Sequence, residues 1–275
     1  MTALPDVAMG EAALLPVLAD SITKIGPEAL GQVVVSGSHG GVYPVSLALR
    51  GGCRAVILHD AGRGLDRAGT AGLRWAEQLG FAVAAIDYRS APIGQAVTML
   101  AKGVVSEANA HACACGVVPG MDCAQAAILL ASADLPSGLF PEISEAREVL
   151  CPDGAKRRLL LMDSASLVEP KDAGQVIVTG SHGALFGSDP MNALRVDAAF
   201  VLFNDAGGIA TSRLPLLEQR GIAAGTVAAS SAHIGEAHST LRDGVLSSVN
   251  GVAQHHGLHQ GMSASDAVAR MLAAD

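Results

Sequence analysis

The chain has 275 residues, half of them apolar and 16% charged, with a formal net charge of −8. Such a balance supports a large core and excludes an electrostatic nucleic-acid surface. The one basic cluster, Lys156-Arg157-Arg158, precedes an apolar run and reads as a solvated strand start.

No apolar run nears the roughly 20 residues of a membrane span. Asp6 and Glu11 come early with no basic segment before them, so no signal peptide is expected. The five cysteines, Cys53, Cys113, Cys115, Cys123 and Cys151, form neither a zinc spacing nor a disulfide framework. Free thiols point to a reducing cytoplasm.

In chain order, residues 1–12 read as a loose lead-in and 13–20 as a strand ending in Asp20-Ser21. The stretch 33–41, Val-Val-Val-Ser-Gly-Ser-His-Gly-Gly, returns at 176–184. Of positions 31–41, eight of eleven are identical to 174–184. The exceptions, Val34/Ile177, Ser36/Thr179 and Gly41/Ala184, are close in size. The chain therefore reads as an internal duplication. β-Branched residues without alternation predict a strand buried on both faces, as in a parallel sheet. A Gly-Ser-His-Gly turn and a helix over 42–49 follow, a geometry that suits anion binding. A helix cap needs a hydroxyl or carboxylate, not a histidine. Retention of His39 and His182 in both copies thus points to function.

Residues 55–59 predict the next strand, ending in Asp60-Ala61-Gly62, and 71–79 an amphipathic helix. A strand over 81–86 leads to Asp87-Tyr88-Arg89-Ser90, and 95–109 predict a long helix. Gly120-Met121 opens a closing helix. Residues 131–155, rich in proline and glycine, are the expected linker. The second copy repeats the pattern at 159–163, 200–204, 212–220, 222–227 and 236–250, closing after Gly261-Met262. The offset is 143 at His39/His182, 145 at Asp60/Asp205 and 141 from the next helix onward. The first copy therefore has four extra residues around 63–70, a candidate lid. The expected fold is α/β: duplicated Rossmann-like βαβ units with mostly parallel sheet and pseudo-twofold related halves, 13–130 and 156–271. One continuous sheet and two facing lobes both satisfy this reading.

Open α/β sheets bind ligands at the carboxyl ends of their strands. The candidate catalytic residues there are His39, His182, Asp60, Asp205, Ser90 and Ser231, with His233 and Glu236 at a helix start. The candidate substrate-binding groups are Ser38, Gly40, Ser181, Gly183 and Arg89. The glycine N–H groups suit an oxyanion, and the Arg89 fork suits a carboxylate. Histidine, carboxylate and hydroxyl in one crevice perform proton transfer or nucleophilic attack. Against this, Asp60 and Asp205 fit loop caps, and strand-end serines bond to nearby backbone. The halves differ at Asp87/Ala228, Arg89/Ser230, Pro92/His233 and Gln95/Glu236, which predicts unequal crevices: Arg89 for anion recognition, His233 for proton transfer.

No G-x-S-x-G elbow, P-loop lysine or G-x-G-x-x-G follows the first strands. No cofactor is expected. The weak divalent-metal alternatives are His39, His59 and Asp60 together, and His255, His256 and His259. The expected function is a cytoplasmic enzyme acting on a small anionic metabolite, with hydrolysis of an amide or cyclic amide first. Lyase or isomerase chemistry by the same histidines comes second, and a non-catalytic anion-binding module third. The expected partner is a small-molecule substrate, not nucleic acid or membrane; homo-oligomerisation stays open.

Overall fold

The computed structural model describes residues 15–274. The lead-in expected over 1–12 and the start of the strand expected over 13–20 lie outside them.

Two sheets organise the chain. The first sets β1 (Val17–Ala19), β2 (Val33–His39), β3 (Ala55–His59) and β4 (Ala82–Ile86) parallel, and β5 (Val105–Ala108) antiparallel at the edge. Its helices are α1 (Val42–Arg50), α2 (Ala71–Glu77), α3 (Ala96–Lys102), α4 (Ala110–Ala114) and α5 (Cys123–Leu130). The second opens with β6 (Arg147–Leu150), antiparallel to β7 (Leu159–Met162). Parallel β8 (Val176–His182), β9 (Phe200–Asn204) and β10 (Ala223–Val227) follow, and antiparallel β11 (Leu246–Val249) closes it. Its helices are α6 (Arg213–Gln219), α7 (Ala237–Asp243), α8 (Gly251–His255) and α9 (Ala264–Ala273). The fold is thus α/β with two mostly parallel mixed sheets. Among the described residues, no helix is long and apolar enough to cross a membrane.

Burial on both faces explains the unbroken apolar runs. Along β2 and β3, Val34, Val56 and Leu58 pack with Leu73 and Phe81 on one side. Val35 and Ile57 pack with Met99 and Leu130 on the other. Ser36, the polar residue that ends the valine run of β2, is itself fully buried.

Three local departures from the sequence reading have physical causes. The helix expected over 95–109 stops at Lys102, and β5 follows. Gly103 lies so close to the Met99 carbonyl and the Ile86 side chain that no Cβ fits there. It takes an extended conformation, and the chain turns back to pair with β4. Gly244 does the same before β11. Second, β8 is not followed by a helix matching α1. Gly187 adopts φ +63°, and Asp189-Pro190 begins only a short 3₁₀ turn. Third, the expected linker supplies β6 to the second sheet.

The carboxyl ends of the two sheets face each other. Ala61, Ile93, Ala184, Ala206, Ala210 and Ile234 form a small apolar cluster between them. Two glycines meet there: a Cβ on Gly62 would stand 2.6 Å from Gly207 Cα. The longer loop around 63–70 crosses to the other side. Leu65 N–H donates to the Ala229 carbonyl at 2.8 Å. Asp66 Oδ2 meets His233 Nε2 at 2.9 Å.

Candidate functional site

A cavity of about 110 Å³ lies between the sheets. Both Ser-His pairs line it, Ser38-His39 from the end of β2 and Ser181-His182 from the end of β8. So do Asp20 and Asp163, from the residues just after β1 and β7.

These aspartates are held by backbone. Asp20 Oδ1 accepts from Ala96 N–H at 2.9 Å, and Asp163 Oδ1 from Ala237 N–H at 3.0 Å. Each carboxylate thereby meets the first turn of a helix, where partial positive charge favours it. Asp163 Oδ2 also accepts from Ala146 N–H at 2.8 Å. Ser38 Oγ accepts from Ile22 N–H at 3.0 Å, and Ser181 Oγ from Ala165 N–H at 2.9 Å. Gly37 lets β2 pass the loop beyond Ile93: a Cβ there would sit 2.6 Å from the Asp20 carbonyl oxygen and 2.7 Å from Gly94 backbone.

The two imidazoles are neutral at pH 7. Burial, with His59 nearby, holds His39 down at about 4. Burial also holds His182 well below its ordinary value, helped by the Arg213 guanidinium and by His39 and His59. The Ala184 carbonyl pulls His182 weakly the other way. His39 Nδ1 accepts from Gly41 N–H at 3.1 Å, so the neutral ring carries its proton on Nε2. His182 Nδ1 is buried without a hydrogen-bond partner among the described residues. His182 thus keeps an unpaired ring nitrogen that can take a proton, while neutral His39 presents an Nε2–H that can donate one.

Three groups that comparison of the copies did not single out also line the cavity. Glu145 reaches it from the segment before β6, within bonding reach of Tyr43 and Ser164. Burial pushes its carboxyl up to about 7, and Asp163 pushes the same way, against the pull of the two hydroxyls. Tyr43, from α1, is in turn raised by burial and by Glu145. Arg213, at the start of α6, is only 3% exposed. Burial lowers it to about 10, so it stays cationic. The available signal for Arg213 was an arginine at the start of the helix where the first copy has Gly72. Glu145 had no such signal.

Several expected site residues have other work. Asp60 Oδ1 accepts from Gly62 and Tyr88 N–H at 2.9 and 3.0 Å. Asp205 Oδ1 accepts from Gly207 and Ala229 N–H at 3.2 and 2.8 Å. Each ties its Asp-Ala-Gly loop to the loop after the next strand. Ser90 Oγ donates to the Asp87 carbonyl and accepts from Val104 N–H, and Ser231 Oγ does the same with Ala228 and Val245. The Gly40 and Gly183 N–H groups donate to the His59 and Asn204 carbonyls at 2.8 Å each, which removes them as oxyanion donors. His59 is wholly buried, with Nε2 against the Ala91 carbonyl and Nδ1 accepting from Ala61 N–H.

Arg89 is exposed and chelated by Asp87, with Nε and Nη2 bonds of 3.0 and 2.6 Å that raise its pKa further. It does not line the cavity. His233 lies in the same inter-sheet seam, bonded to Glu236 Oε2 at 3.1 Å and to Asp66. Partial burial lowers its pKa, but the two carboxylates outweigh this and the net shift is upward. The 63–70 loop thus clasps the other sheet through His233. Among the described residues, no group of three or more His, Cys, Asp or Glu side chains is placed to hold a metal ion.

Compared with family models, curated proteins and solved structures, the chain matches none of them.

Proposed function

We propose that the inter-sheet cavity is the active site of an enzyme acting on a small anionic metabolite. The observation that carries this reading is the meeting of two neutral imidazoles, His39 and His182, with a buried cation in one cavity. The cation would hold the anion and an imidazole would take a proton from water or substrate. Glu145, poised near neutrality, would return a proton to the leaving group. Such an acid and base pair fits hydrolysis of an amide or cyclic amide, whose nitrogen must be protonated to leave.

One observation favours a second reading, an isomerase: the imidazoles come from opposite sheets. One could remove a proton from one face of a carbon and the other return it to the opposite face. A module that binds the anion without turnover is the third reading.

The experiment is a turnover screen of purified protein against short amides, cyclic amides and chiral carboxylates, with His39→Ala and His182→Ala as controls. Product from an amide that both variants fail to make supports hydrolysis. Solvent deuterium incorporation without bond cleavage supports the isomerase. Binding without either supports the module.

The proposal includes an internal duplication, with Rossmann-like pseudo-twofold halves over 13–130 and 156–271 and a linker between. Beyond the sequence match, the support is repeated detail. Asn109 Oδ1 accepts from Val83 and Ala112 N–H while its Nδ2 donates to the Leu73 and Phe81 carbonyls. Asn250 makes the same four bonds with Ala224, Ala253, Leu214 and Ile222. On this reading each copy donates one Ser-His pair to a single composite site. A cytoplasmic setting, no required cofactor and homo-oligomerisation as an open option complete the proposal.

A further inference from the structure

We propose that Arg213 is the specificity anchor for the carboxylate of a short monocarboxylate, whose other end presents a hydrogen-bond-donating nitrogen. The inference rests on the cavity being a ligand site and names the chemistry of that ligand.

Arg213 Nε donates to the Ala184 carbonyl at 3.0 Å and Nη1 to the Ala193 carbonyl at 2.9 Å. The guanidinium lies over the Phe203 ring at 4.9 Å and the Phe186 ring at 5.8 Å. Two bonds and two rings fix the plane of the fork. Nη2 has no hydrogen-bond partner among the described residues, and no carboxylate pairs with the guanidinium there. A cation taken out of water without an anion is unfavourable. It persists most readily where a ligand supplies the missing charge, and arginine matches a planar carboxylate.

This group belongs to one half alone. The Arg213 N–H donates to the Gly183 carbonyl, as the Gly72 N–H does to the Gly40 carbonyl, both at 2.9 Å. A Cβ on Gly72 would collide with the Gly40 and Gly41 carbonyls and with Val45 of α1. The second half has no helix in the place of α1, and the vacated space holds the arginine. The loop that replaces the helix supplies both carbonyls that orient it.

Size and charge narrow the ligand. An apolar cavity of about 150 Å³ admits benzene, so about 110 Å³ suits a molecule of roughly five to seven heavy atoms. The cavity wall also carries the part-buried carboxyl groups of Asp20, Glu145 and Asp163, whereas the other cations that line it, Lys24 and Arg195, are exposed to solvent. A second carboxylate would be repelled there, whereas an ammonium or amide N–H would be accepted.

The test is calorimetric titration with three probes of equal chain length: β-alanine, β-alaninamide and malonate. β-Alanine is expected to bind, β-alaninamide not to bind, and malonate to bind roughly tenfold more weakly than β-alanine, as like charges meet. R213M should abolish β-alanine binding and R213K should weaken it. If R213M does not fold, R213K and the three wild-type titrations decide. Equal binding of β-alanine and β-alaninamide, no binding of either acid, or unchanged binding by R213M would overturn the anchor. Malonate binding as tightly as β-alanine would overturn the acidic end. None of these titrations needs a reaction. Binding with no turnover anywhere would leave the anchor standing and remove the enzyme reading; turnover without carboxylate preference would do the reverse.

Discussion

Asp60 separates a structural from a catalytic reading most sharply. It is 2% exposed, and its Oδ1 takes two backbone N–H groups, Gly62 at 2.9 Å and Tyr88 at 3.0 Å. Asp60→Ala orphans both. An unsatisfied buried donor costs about 1–3 kcal/mol, so two cost about 2–6 kcal/mol. Both donors lie close to the seam between the sheets, where water can enter the vacated space, which brings the expected loss to about 2–4 kcal/mol. Asp60→Asn keeps an oxygen acceptor and should lose less than about 1 kcal/mol. The assay is urea unfolding, read as a shift in midpoint at constant slope. D60A with wild-type stability and no activity would refute the structural reading and return Asp60 to the chemistry. Asp205, with the same two bonds at 3.2 and 2.8 Å, should behave alike.

His39→Ala and His182→Ala should each abolish turnover or ligand binding while moving the unfolding midpoint little, because the backbone partners given up are Gly41 N–H and the Ala184 carbonyl, which keeps its bond from Arg213 Nε; a large midpoint shift with activity intact would make them core residues. Gly37→Ala should destabilise by about 1–3 kcal/mol, since its Cβ would overlap backbone on two sides; an unchanged midpoint would show that the loop beyond Ile93 yields freely. Arg89→Ala should leave KM and kcat within about twofold, as its charge is spent on Asp87 outside the cavity; a rise in KM alone would restore it as the anion fork.

Much of the fold was legible because burial on both faces writes itself as unbroken apolar runs. The strands over 55–59 and 200–204 have the observed ends. The antiparallel strands β5 and β11 were hidden because Ser106, Glu107, Ser247 and Ser248 dilute the apolar signal. The helical residues before them then hid the break at glycine. β6 reads Arg-Glu-Val-Leu inside a segment rich in proline and glycine, and only pairing with β7 makes it a strand. For the site, duplication pointed to the Ser-His pairs but could not point to Arg213 or Glu145. Arg213 stands opposite Gly72 at a helix start and Glu145 lies in the expected linker, so neither fell among the strand-end positions from which the candidates were drawn. Arg89 drew attention as a free fork because its neighbour Asp87 was not read as its partner.

The last prediction concerns pH, and its sign follows from which groups the fold shifts. His39, His59 and His182 are all held below their ordinary value, by burial first. Unfolded, they take up protons near pH 6.5; folded, they do not. Between about pH 4.5 and 6.5 the unfolded chain therefore binds more protons, and stability falls as pH is lowered. Glu145 works the other way. Its folded value near 7 stands above the ordinary 4.5, so its contribution is present below 4.5 and lost as pH rises through 7. Each group contributes at most about 1.4 kcal/mol per pH unit, and Glu145 less because it is only partly buried. Three imidazoles outweigh one carboxyl, so stability should rise with pH across this window. Glu145→Gln removes the opposing group and should steepen the rise. His39→Asn or His182→Asn removes one imidazole and should flatten it. The measurement is the urea midpoint at half-unit steps from pH 5 to 6.5. An unchanged slope in E145Q would mean that Glu145 is ionised in the folded protein, and its role as proton donor would fall. A slope that H39N and H182N leave untouched would mean that the imidazoles titrate normally, and the two neutral imidazoles on which the proposed chemistry rests would not exist.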